Sequence, residues 1–173
     1  NRLAKAMQNK QTNKYLYNLQ MKQTQNEKVK PIDKWEQELN NHNITWKIVF
    51  TNIYSSTIDT ILRNFQYKYI MRIIPTNKSL MKYKIKSSNM CDFCNMQVET
   101  VKHLFWECKH IQHFWNNLSN WLKSINFTID INFKNISLGI LENPRLIGNK
   151  TKNFILILAK HFIFKHKHYR EIP

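Results

Sequence analysis

Four residues within eighteen positions constrain this chain more than anything else in it. Cys91, Cys94, His103 and Cys108 are spaced Cys-x2-Cys-x8-His-x4-Cys, and they use every cysteine the chain has. A Cys-x2-Cys pair lets one tight turn bring two thiolates to a single ion. His103 and Cys108 can then close a tetrahedron from a following helix, expected over about Thr100 to Glu107. Four such ligands leave no open position, which is the donor set of a structural Zn2+ site; iron fits a lone mixed site less well. His110 and His113 stand nearby as substitutes for the fourth ligand. His103 is favoured because Leu104 and Phe105 follow it and can anchor the turn in a core, whereas His110 lies only two past Cys108. A closed site activates no water, and neither Glu99 nor Glu107 stands at a hydrolase spacing, so no catalysis is expected here. Metal binding should contribute folding energy to this region directly.

Three clustered cysteines argue against a disulfide framework and for a reducing, intracellular compartment. No apolar run is long enough to span a bilayer; Phe154 to Phe164 comes nearest, and Lys160 and His161 interrupt it. The opening Asn-Arg-Leu-Ala-Lys shows neither a signal peptide nor an initiator Met, so the chain reads as a piece of something larger. With 173 residues, 42% of them hydrophobic and 13% aromatic, it can bury a modest core and is not a disordered tail. Two glycines, Gly139 and Gly148, leave no room for glycine-rich phosphate loops and disfavour tight hairpins.

The fold expected is mostly α, a small helical domain organised around a CCHC zinc knuckle. Residues 1–32 form a polar linker or helical arm, with Leu16, Leu19 and Met21 in a weak helical pattern ending at Pro31. Residues 33–90 form a helical basic region, 91–110 the zinc module and 111–173 a carboxyl-terminal helical region. Helices are expected over Asp33 to Leu39, over Trp46 to Tyr54 with Thr45 as cap, and over Ile58 to Ile74, ended by Pro75 and capped by one of Ser55, Ser56 or Thr57. In that last helix Ile58, Ile61, Leu62, Phe65, Tyr69 and Ile73 share a face, with Arg63, Tyr67, Ile70 and Ile74 roughly opposite. Thr76 or Asn77 caps a short helix through Lys84. Ile111 to Ile125 forms another, with Phe114, Leu118, Trp121, Leu122 and Ile125 on one face. Alternating Phe127, Ile129, Ile131 and Phe133 suit a short strand, Pro144 and Gly148 a loop, and Lys152 to Lys167 a final helix.

Charge adds a functional expectation. Lys plus Arg number 27 against 11 acidic residues, a formal charge of +16. The excess is uneven: no acid occurs between Asp59 and Asp92, nor between Glu142 and Glu171. Such runs point to a polyanion, nucleic acid before a membrane surface. Candidate phosphate contacts are Arg63, Lys68, Arg72, Lys78, Lys82, Lys84 and Lys86, with Lys102 and Lys109 beside the metal. Arg72 has a second reading, as the buried partner of a carboxylate. Trp106, Phe93 and Trp115 are candidate stacking platforms, although aromatics at such spacing more often build core. The run from Lys160 to Arg170 suits a basic helix surface or a tail, its histidines solvated.

Several short motifs, in one order, resemble a known family. Leu62-Arg63-Asn64-Phe65-Gln66-Tyr67-Lys68 and Arg72-Ile73-Ile74-Pro75-Thr76-Asn77 precede the cysteines. Cys91-Asp92-Phe93-Cys94, Glu99-Thr100, His103-Leu104-Phe105-Trp106, Cys108 and Phe114-Trp115 follow. Together they look like the zinc-binding domain at the carboxyl-terminal end of non-LTR retrotransposon polyproteins that carry a reverse transcriptase. Trp35-Glu36 and Trp46 resemble the stretch between polymerase thumb and zinc module; Leu138-Gly139 and the last helix resemble the family more weakly. The likeness covers about residues 33–125. It implies a non-catalytic module that handles template RNA or target DNA in the nucleus during target-primed reverse transcription, with Zn2+ as cofactor and the polymerase domain of the same polyprotein as partner. The chain holds none of the paired-Asp motifs of a polymerase.

Overall fold

Trp35 is the residue around which the chain turns. Its indole is fully buried and its Nε1–H donates to the carbonyl of Ile70 at 2.8 Å, tying the first described helix to the end of the third. The computed structural model describes residues 30–142, 146–169 and 171–173. Residues 1–29 of the arm expected over 1–32, and Pro144 and Arg170, lie outside them. Pro31 sits inside a described helix, where a proline fits the first turn because no intrahelical N–H bond is needed there.

In chain order the helices are α1 (Lys30–Glu38), α2 (Trp46–Ser56), α3 (Thr60–Ile70), α4 (Asn77–Lys82), a π-helical turn (His103–Glu107), α5 (Lys109–Ser124), α6 (Phe133–Leu138) and α7 (Ile147–Tyr169). Among the described residues there is no strand, only an isolated antiparallel bridge between Met90 and Val98. The mostly helical expectation holds.

Where local chemistry was misread, a different polar residue does the capping. Asp59, not a Ser or Thr, caps α3: its carboxylate accepts from the N–H groups of Ile61 at 2.7 Å and Leu62 at 3.2 Å. Thr45 stands at the N-cap of α2 but makes no side-chain cap bond. Thr76 does cap α4, in a reciprocal box with Ser79. The stretch in which Phe127, Ile129, Ile131 and Phe133 alternate forms no strand: residues 127–132 are irregular, and Phe133 opens the short helix α6, which starts where Asn132 accepts from the N–H of Asn135 at 2.8 Å. Gly148 lies in the first turn of α7 rather than in a loop.

Helix α7 packs against α2, α3 and α6, and one core cluster runs from Trp35 through Phe65, Tyr69, Phe105 and Trp115 to Ile163. The faces are partly those the spacing suggested. Ile58, Ile61 and Ile73 are exposed, while Gln66 on α3 is buried with Leu62, Phe65, Tyr69 and Ile70. On α7 the inversion is sharper: Lys160 and Lys167 are buried while Leu158 and Phe162 face outward. Between α5 and α7 this leaves an open apolar groove of about 620 Å³ that includes Phe114, Trp121, Ile125, Leu158 and Phe162.

Candidate metal centre

The Cys-x2-Cys turn is built first. Asn95 N–H donates to the carbonyl of Cys91 at 2.9 Å, and Cys91 N–H to that of Gln97 at 2.8 Å. Asn95 takes a positive φ of 52°, which lets the chain reverse just after Cys94; asparagine is among the few non-glycine residues that adopt it readily. After Val101 and Lys102 the backbone widens into the π-turn, closed by a bond of 3.0 Å from Cys108 N–H to the carbonyl of His103, five residues back. Residues five apart diverge around a regular α-helix. With about one extra residue per turn they return to nearly the same side, so the π-turn is what brings His103 and Cys108 together. The regular helix expected over this stretch could not have done so.

The donor atoms of Cys91, Cys94, His103 and Cys108 all lie within 4.8 Å of one another. Cys91 Sγ is 4.0 Å from Cys108 Sγ, and Cys94 Sγ is 3.4 Å from His103 Nε2. Thiolate and imidazole ligands on one tetrahedral zinc ion stand about 3.5–3.8 Å apart, given bonds of roughly 2.3 and 2.0–2.1 Å. The separations fit a shared ion and are far too long for a disulfide; all three cysteines are free. His110 and His113 are outside the group.

Protonation suits the same reading. Cys91 donates to Cys108, and that hydrogen bond, together with burial, pushes the Cys91 thiol up. Accepting it holds Cys108 down, as do the amides of His110 and Ile111 at the start of α5. Two crowded thiols cannot both ionise alone, and a cation resolves this. Burial lowers the His103 pKa against the pull of Glu107 and Glu99, keeping the ring in its neutral, ligating form. Its Nδ1 is buried without a hydrogen-bond partner among the described residues.

Behind the ligands lies a polar layer that the spacing did not reveal. Glu99 is fully buried; its carboxylate accepts from Asn77 N–H at 2.7 Å and Asp92 N–H at 3.3 Å, and pairs with Lys167 at 2.5 Å. Asn77 Nδ2 donates to the carbonyl of Met90 at 2.6 Å. Burial alone would raise Asp92, but Lys86, Asn77 and Lys167 hold its carboxyl below the usual range.

The expected contact residues divide. Arg72 is committed: its guanidinium pairs with both oxygens of Glu38 at 3.1 and 2.5 Å and lies 3.8 Å over the ring of Trp35, with a side chain only 10% exposed. Arg63 caps the end of α2, donating to the carbonyls of Thr57 at 2.6 Å and Tyr54 at 2.9 Å. Lys86 pairs with Asp92 and Lys102 with Glu107. Phe93 and Trp115 are core, Trp115 donating to the carbonyl of Phe105 at 2.8 Å, so neither is a stacking platform. Trp106 is half-buried, 6.3 Å from the Phe133 ring. Lys68, Lys78, Lys82, Lys84 and Lys109 are exposed, with no ion pair among the described residues. In the carboxyl-terminal run Lys160 and Lys167 are buried rather than part of a basic surface.

No helix among the described residues is long and apolar enough to cross a membrane. Residues 11–115, more than half of the chain, match the family described as zinc-binding in reverse transcriptase, and the chain belongs to that family.

Proposed function

From membership in a family of accessory zinc-binding modules of reverse transcriptase, we propose that this chain holds template RNA or target DNA for the polymerase of the same polyprotein, in the nucleus, during target-primed reverse transcription. Its four metal ligands are Cys91, Cys94, His103 and Cys108, and Zn2+ would fix the loop that bears them without taking part in chemistry.

The observation that carries the reading is the attachment of α4 to the metal loop. Helix α4 begins with Asn77 bonded to Glu99 and Met90, and Lys78 N–H reaches the Glu99 carbonyl at 3.3 Å. A fixed metal loop therefore fixes α4. Lys78 and Lys82, four apart, share a face of that helix, and Lys84 follows it in a left-handed conformation with φ of 58°. Of the candidate contact residues, these lysines with Lys68 and Lys109 are the ones left available for phosphate, and counterion release would supply most of their affinity. The test is a salt titration of binding to single-stranded RNA and duplex DNA by the zinc-loaded chain. Steeply salt-dependent binding is expected, its log–log slope falling by about 2–3 in Lys78/Lys82/Lys84→Ala. Absence of binding at low salt overturns the reading.

One observation favours a second reading, a module that packs against a protein without touching nucleic acid. The groove between α5 and α7 exposes Trp121 and Ile125 along with Leu158 and Phe162. Contiguous apolar surface of this kind marks interaction sites. Its occupant would be the polymerase body to which such a module is joined, and Trp121→Asp would weaken that association while leaving nucleic-acid binding unchanged.

A further inference from the structure

The family match ends at residue 115, yet the carboxylate that braces the metal loop is paired from residue 167. Lys167 lies near the end of α7, is 8% exposed, and donates both to Glu99 at 2.5 Å and to the carbonyl of Pro75 at 3.0 Å. Glu99 holds the Asp92 N–H inside the Cys91–Cys94 turn, and its backbone N–H bonds the carbonyl of Asn89 at 2.8 Å just before it. The next residue, Thr100, accepts from His103 N–H at 3.0 Å at the start of the ligand-bearing π-turn. One ammonium thus reaches, through one carboxylate, the segments that carry Cys91, Cys94 and His103.

We infer that Lys167 is a positioning residue of the metal site, so that the end of α7, outside the matched region, is a structural part of the zinc module. The physical reason is charge. An unpaired Glu99 fully removed from water would be driven to take up a proton or to pull toward solvent. Either response loosens its hold on the Asp92 amide and lets the Cys-x2-Cys turn open. Outer-layer partners of metal ligands typically alter affinity about 10- to 100-fold when removed. Lys167 differs from Lys160, seven residues earlier on the same helix, which among the described residues meets the Gln66 oxygen at 2.7 Å and the face of Tyr69 but no carboxylate.

This inference rests on the four-ligand reading of the site, and the experiment keeps the two apart. Co2+ is titrated into the full chain and followed by its thiolate charge-transfer and ligand-field absorption, with Zn2+ competition giving affinity. If the unaltered chain shows no tetrahedral thiolate spectrum, the metal reading itself fails. If it does, Lys167→Met should bind about 10- to 100-fold more weakly with a changed spectrum. Lys167→Arg, which keeps the charge, should recover part of that loss. Gly139→Ala, a destabilising change that presses on Asn153, about 20 Å from Lys167 along α7, should bind within about twofold of the unaltered chain. Unaltered affinity in Lys167→Met, or an equal loss in Gly139→Ala, overturns the inference. Should Lys167→Met lose its helical circular dichroism, Lys167→Gln is read in its place against the same criteria.

Discussion

The protein carries two buried polar knots, and they are held in opposite ways. One joins Asn77, Asp92, Glu99 and Lys167 behind the metal ligands, where two carboxylates meet two ammonium groups, Lys86 and Lys167. The other joins α2, α3 and α6 to α7: Asn52 and Asn153 both donate to the carbonyl of Ile140, at 3.1 and 3.3 Å, Asn153 accepts from Ile140 N–H at 2.7 Å, and Lys160 donates to Gln66. Its one amine, Lys160, meets no carboxylate among the described residues. The first knot needs matched charge and gains from a cation beside it. The second is held by amides, with Asn52 Oδ1 buried and without a partner among the described residues, and packing keeps it shut. On the proposed reading, metal dependence falls to the region that carries Lys78, Lys82 and Lys84, and the rest is left to an ordinary core.

The largest effect expected is from the metal itself. Cys108→Ser, or a strong chelator, should release residues 90–108 to rapid hydrogen exchange, because metal binding and local folding are one equilibrium there. The amides of α2 and of the first half of α7 should stay protected. If protection is lost everywhere at once, the two knots are one cooperative unit and the contrast fails.

Next comes Glu99→Gln in the zinc-loaded chain. It leaves Lys167 buried and unpaired, a situation that costs about 3–5 kcal/mol in comparable buried pairs, and urea denaturation should show it. A loss below about 1 kcal/mol would mean that water reaches Lys167, and the first knot would then resemble the second.

A smaller loss tests the amide knot. Gly139 ends α6 at φ of 81° and ψ of 175°, a region open essentially to glycine, and an added Cβ would stand 2.9 Å from Asn153 Oδ1. Gly139→Ala should cost about 1–3 kcal/mol. Exchange should quicken around Ile140 and Asn153 and stay unchanged around Cys91.

How much of this could be read from the chain differs between the knots for a physical reason. Ligand spacing is local, so the clustering of Cys91, Cys94, His103 and Cys108 and the helical class were legible, and Thr76, one of the two caps expected, does open α4. The π-turn was not, because i→i+4 and i→i+5 bonding draw on the same residues and tertiary need chooses between them. Asn132 and Gly139 did bracket α6, but the alternation of Phe127, Ile129, Ile131 and Phe133 outweighed them. The lysines were least legible. A basic run suggests a surface, yet α7 turns Lys160 and Lys167 inward and Phe162 outward, since which side of a helix is covered depends on neighbours that its own periodicity does not contain. Arg72 illustrates the same point: only Glu38, 34 positions away, decides that it is a strut.

The gentlest test of the contrast is pH. Burial lowers the Lys160 pKa well below its ordinary value of 10.5. The unfolded chain therefore binds more protons at this position than the folded one, and stability rises with pH from the folded pKa up to about 10.5, where the unfolded lysine also deprotonates. Burial raises the Tyr69 hydroxyl, which works the other way above about pH 10, so the useful window runs from the folded Lys160 pKa to about pH 9.5, with zinc bound so that the thiols do not titrate. Over it the stability of the loaded chain should climb by at most about 1.4 kcal/mol per pH unit from this one group. Lys160→Met should remove that slope. At pH 7 its net change should be within about 1 kcal/mol, because the gain from not burying an amine is offset by leaving the Gln66 oxygen without its donor. Were the slope to survive, Lys160 would be charged in the folded protein, and the second knot would contain a buried cation that its amides and the Tyr69 face suffice to hold.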